Sequence, residues 1–126
     1  MAGILVFIEQ RNGSLRKASL EALSEARRLA FGTGLAVHAV LVGHGILPKA
    51  AELGKYGASK VFVADEERLA RYSAEGCAAP IRAAVERSQA SALFMAATAL
   101  GRDLSGRVAA RLGWGCLAEI SLYQLK

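Results

Sequence analysis

Residues 98–113, TALGRDLSGRVAARLG, place glycines and charged side chains at the start of a helical pattern, directly after an apolar run. The N–H groups and the dipole of a helix start attract phosphate or carboxylate, so Gly101 and Arg102 are candidates to hold an anion. Asp103 stands at the same end, where an aspartate caps those N–H groups itself and repels an anion. We therefore favour a capped helix at a domain contact over a phosphate-binding loop.

The glycine spacing does not match the two common phosphate-binding motifs. The first apolar run is followed by EQRNGS at residues 9–14, which contains one glycine. The fourth run is followed by ALGRDLSG, in which the glycines are five residues apart and no lysine follows. The sequence therefore predicts neither a GxGxxG dinucleotide turn nor a GxxxxGK[ST] loop.

Three further residues have side chains that are able to perform acid–base chemistry. Glu9 ends the first apolar run and is the best placed of them, although an ion pair with Arg102 would explain it equally well. His44 lies in a GHG loop without an evident nucleophile or carboxylate partner, and His38 lies inside an apolar run, as a hydrogen-bonded core histidine would. A hydrolase acting through His44 or Glu9 has the least support, and we predict no catalytic residue.

Composition and charge indicate a folded domain that does not bind nucleic acid. The chain has 126 residues, of which 53% are hydrophobic and 21% charged, enough apolar surface for one domain with its own core. The net charge is +5, but the basic residues are spread over helical faces that also carry glutamates, as Lys17 and Glu21 illustrate. Such faces are typical of solvated helices rather than of a nucleic-acid surface.

The apolar runs and the cysteines argue against a membrane protein and against a metal-binding protein. The runs at residues 4–8 and 92–97 are far shorter than the roughly 20 residues that span a bilayer, and no basic segment precedes the first run. We expect no membrane insertion and a cytoplasmic location, or the mitochondrial matrix for a eukaryotic protein. Cys77 and Cys116 lack CxxC spacing and a histidine at metal-ligand distance, so we expect free buried thiols and no metal site.

Two periodicities alternate along the chain and predict its elements. Continuous apolar, β-prone runs predict four strands buried on both faces, at residues 3–9, 35–43, 60–65 and 91–98. Helical patterns predict helices at residues 15–31 with Ser14 as N-cap, 47–53, 75–89 with a kink or late start at Pro80, and within 98–113. Residues 116–125 alternate apolar and polar side chains, as a fifth strand at the sheet edge or one that leaves the core would.

Strands that alternate with helices predict a doubly wound α/β fold, a three-layer α/β/α sandwich around a mostly parallel sheet. If the strands follow the common half-Rossmann order 3-2-1-4-5, the first three strands are added in one direction and the fourth and fifth in the other. The strand order then reverses between the first and fourth strands. Ligands bind at such a reversal, outside the carboxyl ends of the strands. The loops at residues 9–14 and 98–104 would flank that position.

The chain resembles the N-terminal domain of the electron transfer flavoprotein alpha subunit. The resemblance rests on ILVFIE followed by SLEALSEARRLA, on VLVGHG with AAELGKYGASKVFVADEERLARYSAE, and on ATALGRDLSGRVAARLG leading into the segment around Glu119. It covers nearly all 126 residues in the same order. It implies one domain over residues 1–126, and an FAD-binding C-terminal domain that is missing from this chain.

The resemblance also implies a function for the complex. In this family the alpha and beta subunits form a heterodimer that accepts electrons from flavin dehydrogenases, such as acyl-CoA dehydrogenases, and passes them to a membrane quinone oxidoreductase. This domain would serve as a scaffold without cofactor, with Glu9, Thr98, Gly101, Arg102 and Asp103 as interface or switch-loop residues. The alternative is a free-standing adenine-nucleotide-binding module of the universal-stress type.

Overall fold

The computed structural model, which describes residues 3–113, has the predicted α/β/α layering. The strands are β1 (Gly3–Ile8), β2 (Gln10–Arg11), β3 (Ser14–Leu15), β4 (Ala36–Gly43), β5 (Lys60–Asp65) and β6 (Ala92–Phe94). The helices are α1 (Lys17–Ala30), α2 (Ala50–Lys55), α3 (Ala74–Ser88) and α4 (Ala99–Leu112), with 3₁₀ turns at Leu47–Lys49 and Glu67–Leu69. Among these residues no helix has the length and apolarity needed to cross a membrane.

The main sheet has the order β5-β4-β1-β6, and every neighbouring pair is parallel. In terms of the four predicted strands, this order is third, second, first, fourth. The order of the strands therefore changes direction between β1 and β6. The complete order 3-2-1-4-5, which includes the fifth strand, stays a prediction. The predicted fifth strand at residues 116–125, which includes Cys116, lies outside the described residues.

The two faces of the sheet bury separate cores because successive strand residues point to opposite sides. Leu5 and Phe7 of β1 pack with residues of α3 and α4, among them Ile81 and Leu104. The alternating set that includes Ile4, Val6 and Ile8 packs with residues of α1 and α2. These two cores cover both faces of the inner strands β1 and β4.

The outer strands β5 and β6 are less buried than predicted. The interior residues of β5 and all three residues of β6 are half-buried, whereas β1 is buried throughout. The expectation of burial on both faces is therefore wrong for these two strands, because each has a paired strand on one side only within the described sheet. β6 is also shorter than the predicted strand at residues 91–98.

One predicted N-cap is wrong, and of the two alternatives given for Pro80 the late helix start is wrong. Ser14 does not cap α1, because it belongs to β3 of a small antiparallel hairpin, and the cap position is Arg16, which makes no side-chain capping bond. Pro80 does not delay α3, which begins at Ala74 because Ser73 Oγ accepts a hydrogen bond from the Gly76 N–H at 3.2 Å. The hairpin that contains Ser14 and the capping bond of Ser73 cannot be recognised from the spacing of apolar residues alone.

Candidate functional site

Glu9 and Thr98 meet at the carboxyl edge of the sheet, where the strand order reverses. Thr98 Oγ1 donates a hydrogen bond of 2.6 Å to Glu9 Oε1, and the Glu9 backbone N–H donates to Ser19 Oγ at 2.9 Å. Arg16 Nε lies 3.9 Å from Glu9 Oε2. Glu9 is only 6% exposed, so its carboxylate links β1 to the starts of α1 and α4 from inside the protein.

Thr98, and not Asp103, caps helix α4. Its hydroxyl accepts a hydrogen bond of 3.0 Å from the Gly101 N–H, and its own backbone is extended, as an N-cap requires. The helix therefore begins at Ala99, and the prediction of Asp103 as N-cap is wrong because Asp103 lies one turn inside. A threonine at the end of an apolar run, before a helical pattern, is the sequence signal that indicates this cap.

Asp103 instead joins α4 to the segment before α3. Its Oδ2 accepts a hydrogen bond of 2.7 Å from the Tyr72 hydroxyl, and its Oδ1 lies 3.4 Å from Arg107 Nε. The hydrogen bond from Tyr72 and the neighbouring Arg107 hold the pKa of Asp103 below its usual value. Burial and the contact with Asp103 raise the pKa of Tyr72. The Asp103 carboxylate is therefore ionised, and Arg107 balances its charge.

Gly101 is required by packing. A Cβ added at this buried position would lie 2.1 Å from the Ala96 carbonyl oxygen, in the segment between β6 and α4. Real Cβ atoms do not approach a backbone oxygen so closely. Arg102 follows in the same first turn with an exposed side chain, and its N–H donates to the Thr98 carbonyl at 2.9 Å.

The loop EQRNGS forms the β2–β3 hairpin, which the sequence reading missed. Asn12 and Gly13 at its tip have φ of 52° and 82°, the conformation in which Asn-Gly makes a tight turn. Gln10 fixes the hairpin, because its Nε2 donates to the Val42 carbonyl at 3.2 Å and its Oε1 accepts from the Gly13 N–H at 2.9 Å. The Asn-Gly pair was the signal available in the sequence.

A cleft of about 530 Å³ lies beside this hairpin at the carboxyl edge. Apolar residues of β1, β4, the second 3₁₀ turn, α3 and α4 line part of it, namely Phe7, Val42, Leu69, Cys77 and Leu100. Polar and charged residues line the rest, including Glu9, Arg11, Asn12, Arg71, Tyr72 and Asp103. Of the predicted site residues, Glu9 and Asp103 line this cleft.

His44 has a carboxylate partner that the sequence reading did not find. Its Nδ1 lies 3.7 Å from Asp65 Oδ1, at the end of β5. Asp65 also accepts hydrogen bonds from the N–H groups of Gly45, Ile46 and Leu47, at 2.7, 3.0 and 3.0 Å. These bonds hold the pKa of Asp65 below its usual value. Asp65 thus closes the loop that follows β4.

His38 and Cys77 are buried, as predicted. His38 packs edge-to-face on Phe62, with ring centroids 6.0 Å apart, but its Nδ1 has no hydrogen-bond partner among residues 3–113. The expectation of a hydrogen-bonded histidine is therefore wrong within the described structure. Burial and the nearby Lys60 lower the pKa of His38, and burial raises the pKa of the Cys77 thiol, which is free. Within residues 3–113 no group of three His, Cys, Asp or Glu side chains is arranged to hold a metal ion.

Comparison with known proteins places this architecture in a family. The family model described as the electron transfer flavoprotein domain matches residues 4–124. The electron transfer flavoprotein subunit alpha of Clostridium acetobutylicum is 43% identical over 117 residues, which are 93% of this chain and 35% of that protein. The corresponding alpha subunit of Bacillus subtilis is 34% identical over 116 residues, 92% of this chain and 35% of its own length.

Another similar protein is the acryloyl-CoA reductase electron transfer subunit beta of Anaerotignum propionicum. It is 40% identical over 116 residues, which are 92% of this chain and 32% of that protein. The chain therefore spans about a third of the length of these relatives. Several of the relatives are named as electron transfer subunits, and the match covers nearly all of this chain. The chain belongs to the electron transfer flavoprotein family and is similar to its alpha subunits.

Proposed function

We propose that this chain is the N-terminal domain of an electron transfer flavoprotein alpha subunit, which pairs with a beta subunit. The complex carries electrons from flavin dehydrogenases, such as acyl-CoA dehydrogenases, to a membrane quinone oxidoreductase. The observation that carries the proposal is the family match over residues 4–124, together with relatives about three times as long. The relative from Anaerotignum propionicum, named for acryloyl-CoA reductase, supports a partner enzyme that acts on acyl-CoA substrates.

In this proposal the domain is a scaffold. The contacts of its candidate residues support that role, because Glu9 and Thr98 bond to each other and Gly101 packs against Ala96. Arg102 is the candidate for a contact with another domain or the beta subunit, since its side chain is exposed in the first turn of α4. We propose a cytoplasmic location in a bacterium, or the mitochondrial matrix in a eukaryote.

The described residues do not form a cradle that fits FAD. A dinucleotide turn presents backbone N–H groups to a pyrophosphate. Here the side chain of Gln10 fills the position beside Gly43 and bonds Val42 and Gly13. We therefore propose that a C-terminal domain outside this chain binds the FAD.

The alternative is a free-standing adenine-nucleotide-binding module of the universal-stress type. The cleft at the strand reversal favours it, because ligands of such sheets bind there. The family match over nearly the whole chain favours the electron carrier.

The first experiment is the intact mass of the native polypeptide, with the absorbance of the purified protein in the flavin region. A mass well above 13.3 kDa and a yellow heterodimer support the electron carrier. A colourless native chain of 13.3 kDa that binds AMP overturns the proposal in favour of the nucleotide module.

A substitution tests the scaffold role of Arg102. We expect Arg102→Ala to weaken association of the subunits and to leave the flavin spectrum unchanged. Arg87→Ala, in the last turn of α3, removes the same charge from another exposed position and is the control. A changed flavin spectrum in a normally associated heterodimer contradicts the scaffold role.

A further inference from the structure

The cleft at the carboxyl edge carries two positive charges that the described protein does not neutralise. Its two lining carboxylates each have a cation, since Glu9 lies near Arg16 and Asp103 near Arg107. Arg11 and Arg71 also belong to the lining. Neither makes an ion pair or side-chain hydrogen bond with any residue between 3 and 113.

The backbone that carries each of these arginines is held in place. Arg11 lies in the hairpin that Gln10 anchors to β4. Arg71 follows the buried Leu69 and precedes Tyr72, whose hydroxyl bonds Asp103 of α4. Binding therefore orders only the two side chains, which reduces its entropic cost.

The rest of the cleft offers an apolar surface of suitable size. Phe7, Leu69 and Leu100 come from three segments that converge there. The volume of about 530 Å³ falls within the range of roughly 300–1,000 Å³ that is typical of small-molecule sites. The cleft thus combines an apolar surface with a cationic rim, at the position where doubly wound sheets bind ligands.

We propose that this cleft binds a small organic anion, with its phosphate or carboxylate group held by Arg11 and Arg71 and its apolar body packed on Phe7, Leu69 and Leu100. A guanidinium group presents paired N–H donors that match both kinds of anionic group. The site is separate from the electron-carrier proposal and does not depend on it, because it involves only residues of this chain.

The test is calorimetric titration of the full native polypeptide, with any subunit that copurifies, using phenyl phosphate as the probe. Benzoate tests a carboxylate in place of the phosphate, and inorganic phosphate and phenol test the two parts separately. We expect saturable binding of phenyl phosphate or benzoate, at least about tenfold tighter than that of either part, and weaker at higher salt.

Substitutions locate the binding. We expect Arg11→Gln and Arg71→Gln each to weaken binding of the tighter probe by about tenfold, the effect of losing one charge-assisted hydrogen bond. Arg87→Gln removes an exposed charge at the other end of α3 and leaves the affinity unchanged. A thermal melt of each variant confirms folding.

Three results overturn the proposal. The first is that neither phenyl phosphate nor benzoate binds saturably. The second is that Arg11→Gln and Arg71→Gln leave the affinity unchanged, and the third is that inorganic phosphate binds as tightly as phenyl phosphate. Flavin absorbance and subunit association are recorded in the same samples, so failure of this site is distinguished from failure of the electron-carrier proposal.

Discussion

Glu9 and Asp65 both end parallel strands at the carboxyl edge of the sheet, but they bind different kinds of partner. Asp65 accepts hydrogen bonds from three backbone N–H groups of one loop, which any sequence of non-proline residues would supply. Glu9 depends on the side chains of Thr98 and Arg16, and Thr98 is 89 residues away. A carboxylate at a strand end can therefore depend on backbone N–H groups or on particular side chains.

The largest expected effect comes from moving the start of α4 away from Glu9. Gly101→Ala places a Cβ 2.1 Å from the Ala96 carbonyl, so α4 must shift together with the Thr98 hydroxyl. We expect a loss of about 3 kcal/mol in the free energy of unfolding, measured by urea denaturation.

Gly106→Ala is the matched control in the same helix. Nothing lies within 4 Å of its added Cβ, and the position is exposed. We expect unchanged stability or a gain of up to about 1 kcal/mol. Equal destabilisation by both substitutions would show that Gly101 is not needed for close packing.

The next effect concerns the hydroxyl shared by Glu9 and α4. Thr98→Val keeps the shape of the side chain but removes both the cap and the donor to the buried carboxylate. We expect a loss of about 2 kcal/mol in urea denaturation. Thr98→Ser retains the hydroxyl and should retain most of the stability. Equal losses in the two variants would exclude the hydrogen bonds as the cause.

Asp65→Asn tests the carboxylate that is held by backbone N–H groups. Because the pKa of Asp65 is lowered in the folded protein, its stabilising effect is present above its ordinary value of 3.8 and is lost as pH falls through the lowered value. We expect Asp65→Asn to be less stable than the wild type at pH 7, with a difference that shrinks in the acid range. Denaturation at a series of pH values measures it.

Glu67→Gln is the control for that series. It removes a charge from the neighbouring exposed turn. If it reproduces the behaviour of Asp65→Asn, net charge rather than the bonds to residues 45–47 is responsible.

The smallest expected effect extends the comparison to the opposite edge, where His38 has no described partner for Nδ1. Its pKa is lowered in the folded protein, so the unfolded chain binds the proton more tightly. Stability should fall as pH drops below about 6.5, until His38 is also protonated in the folded state. We expect His38→Leu to reduce this dependence, measured by thermal melts between pH 5 and 8. An unchanged pH profile in the variant would refute this.

Much of the fold was predictable because its signals are local. Continuous apolar runs separated by amphipathic helices were enough to predict the parallel sheet and the two layers of helices. Residues 98–113 were correctly interpreted as a capped helix, although Thr98 and not Asp103 is the cap. The motifs quoted for the electron transfer flavoprotein family led to the correct family.

The site required the tertiary structure. The contact between Glu9 and Thr98 and the pair of His44 and Asp65 each join segments that are distant in sequence. Arg11 and Arg71, which line the cleft without an ion-pair partner among residues 3–113, also come from distant segments. Periodicity reports which face of an element is buried, because it arises from the geometry of one helix or strand. It carries no information on which strand ends become neighbours or which charges are left without a partner, since the packing of the whole sheet and its helices decides both.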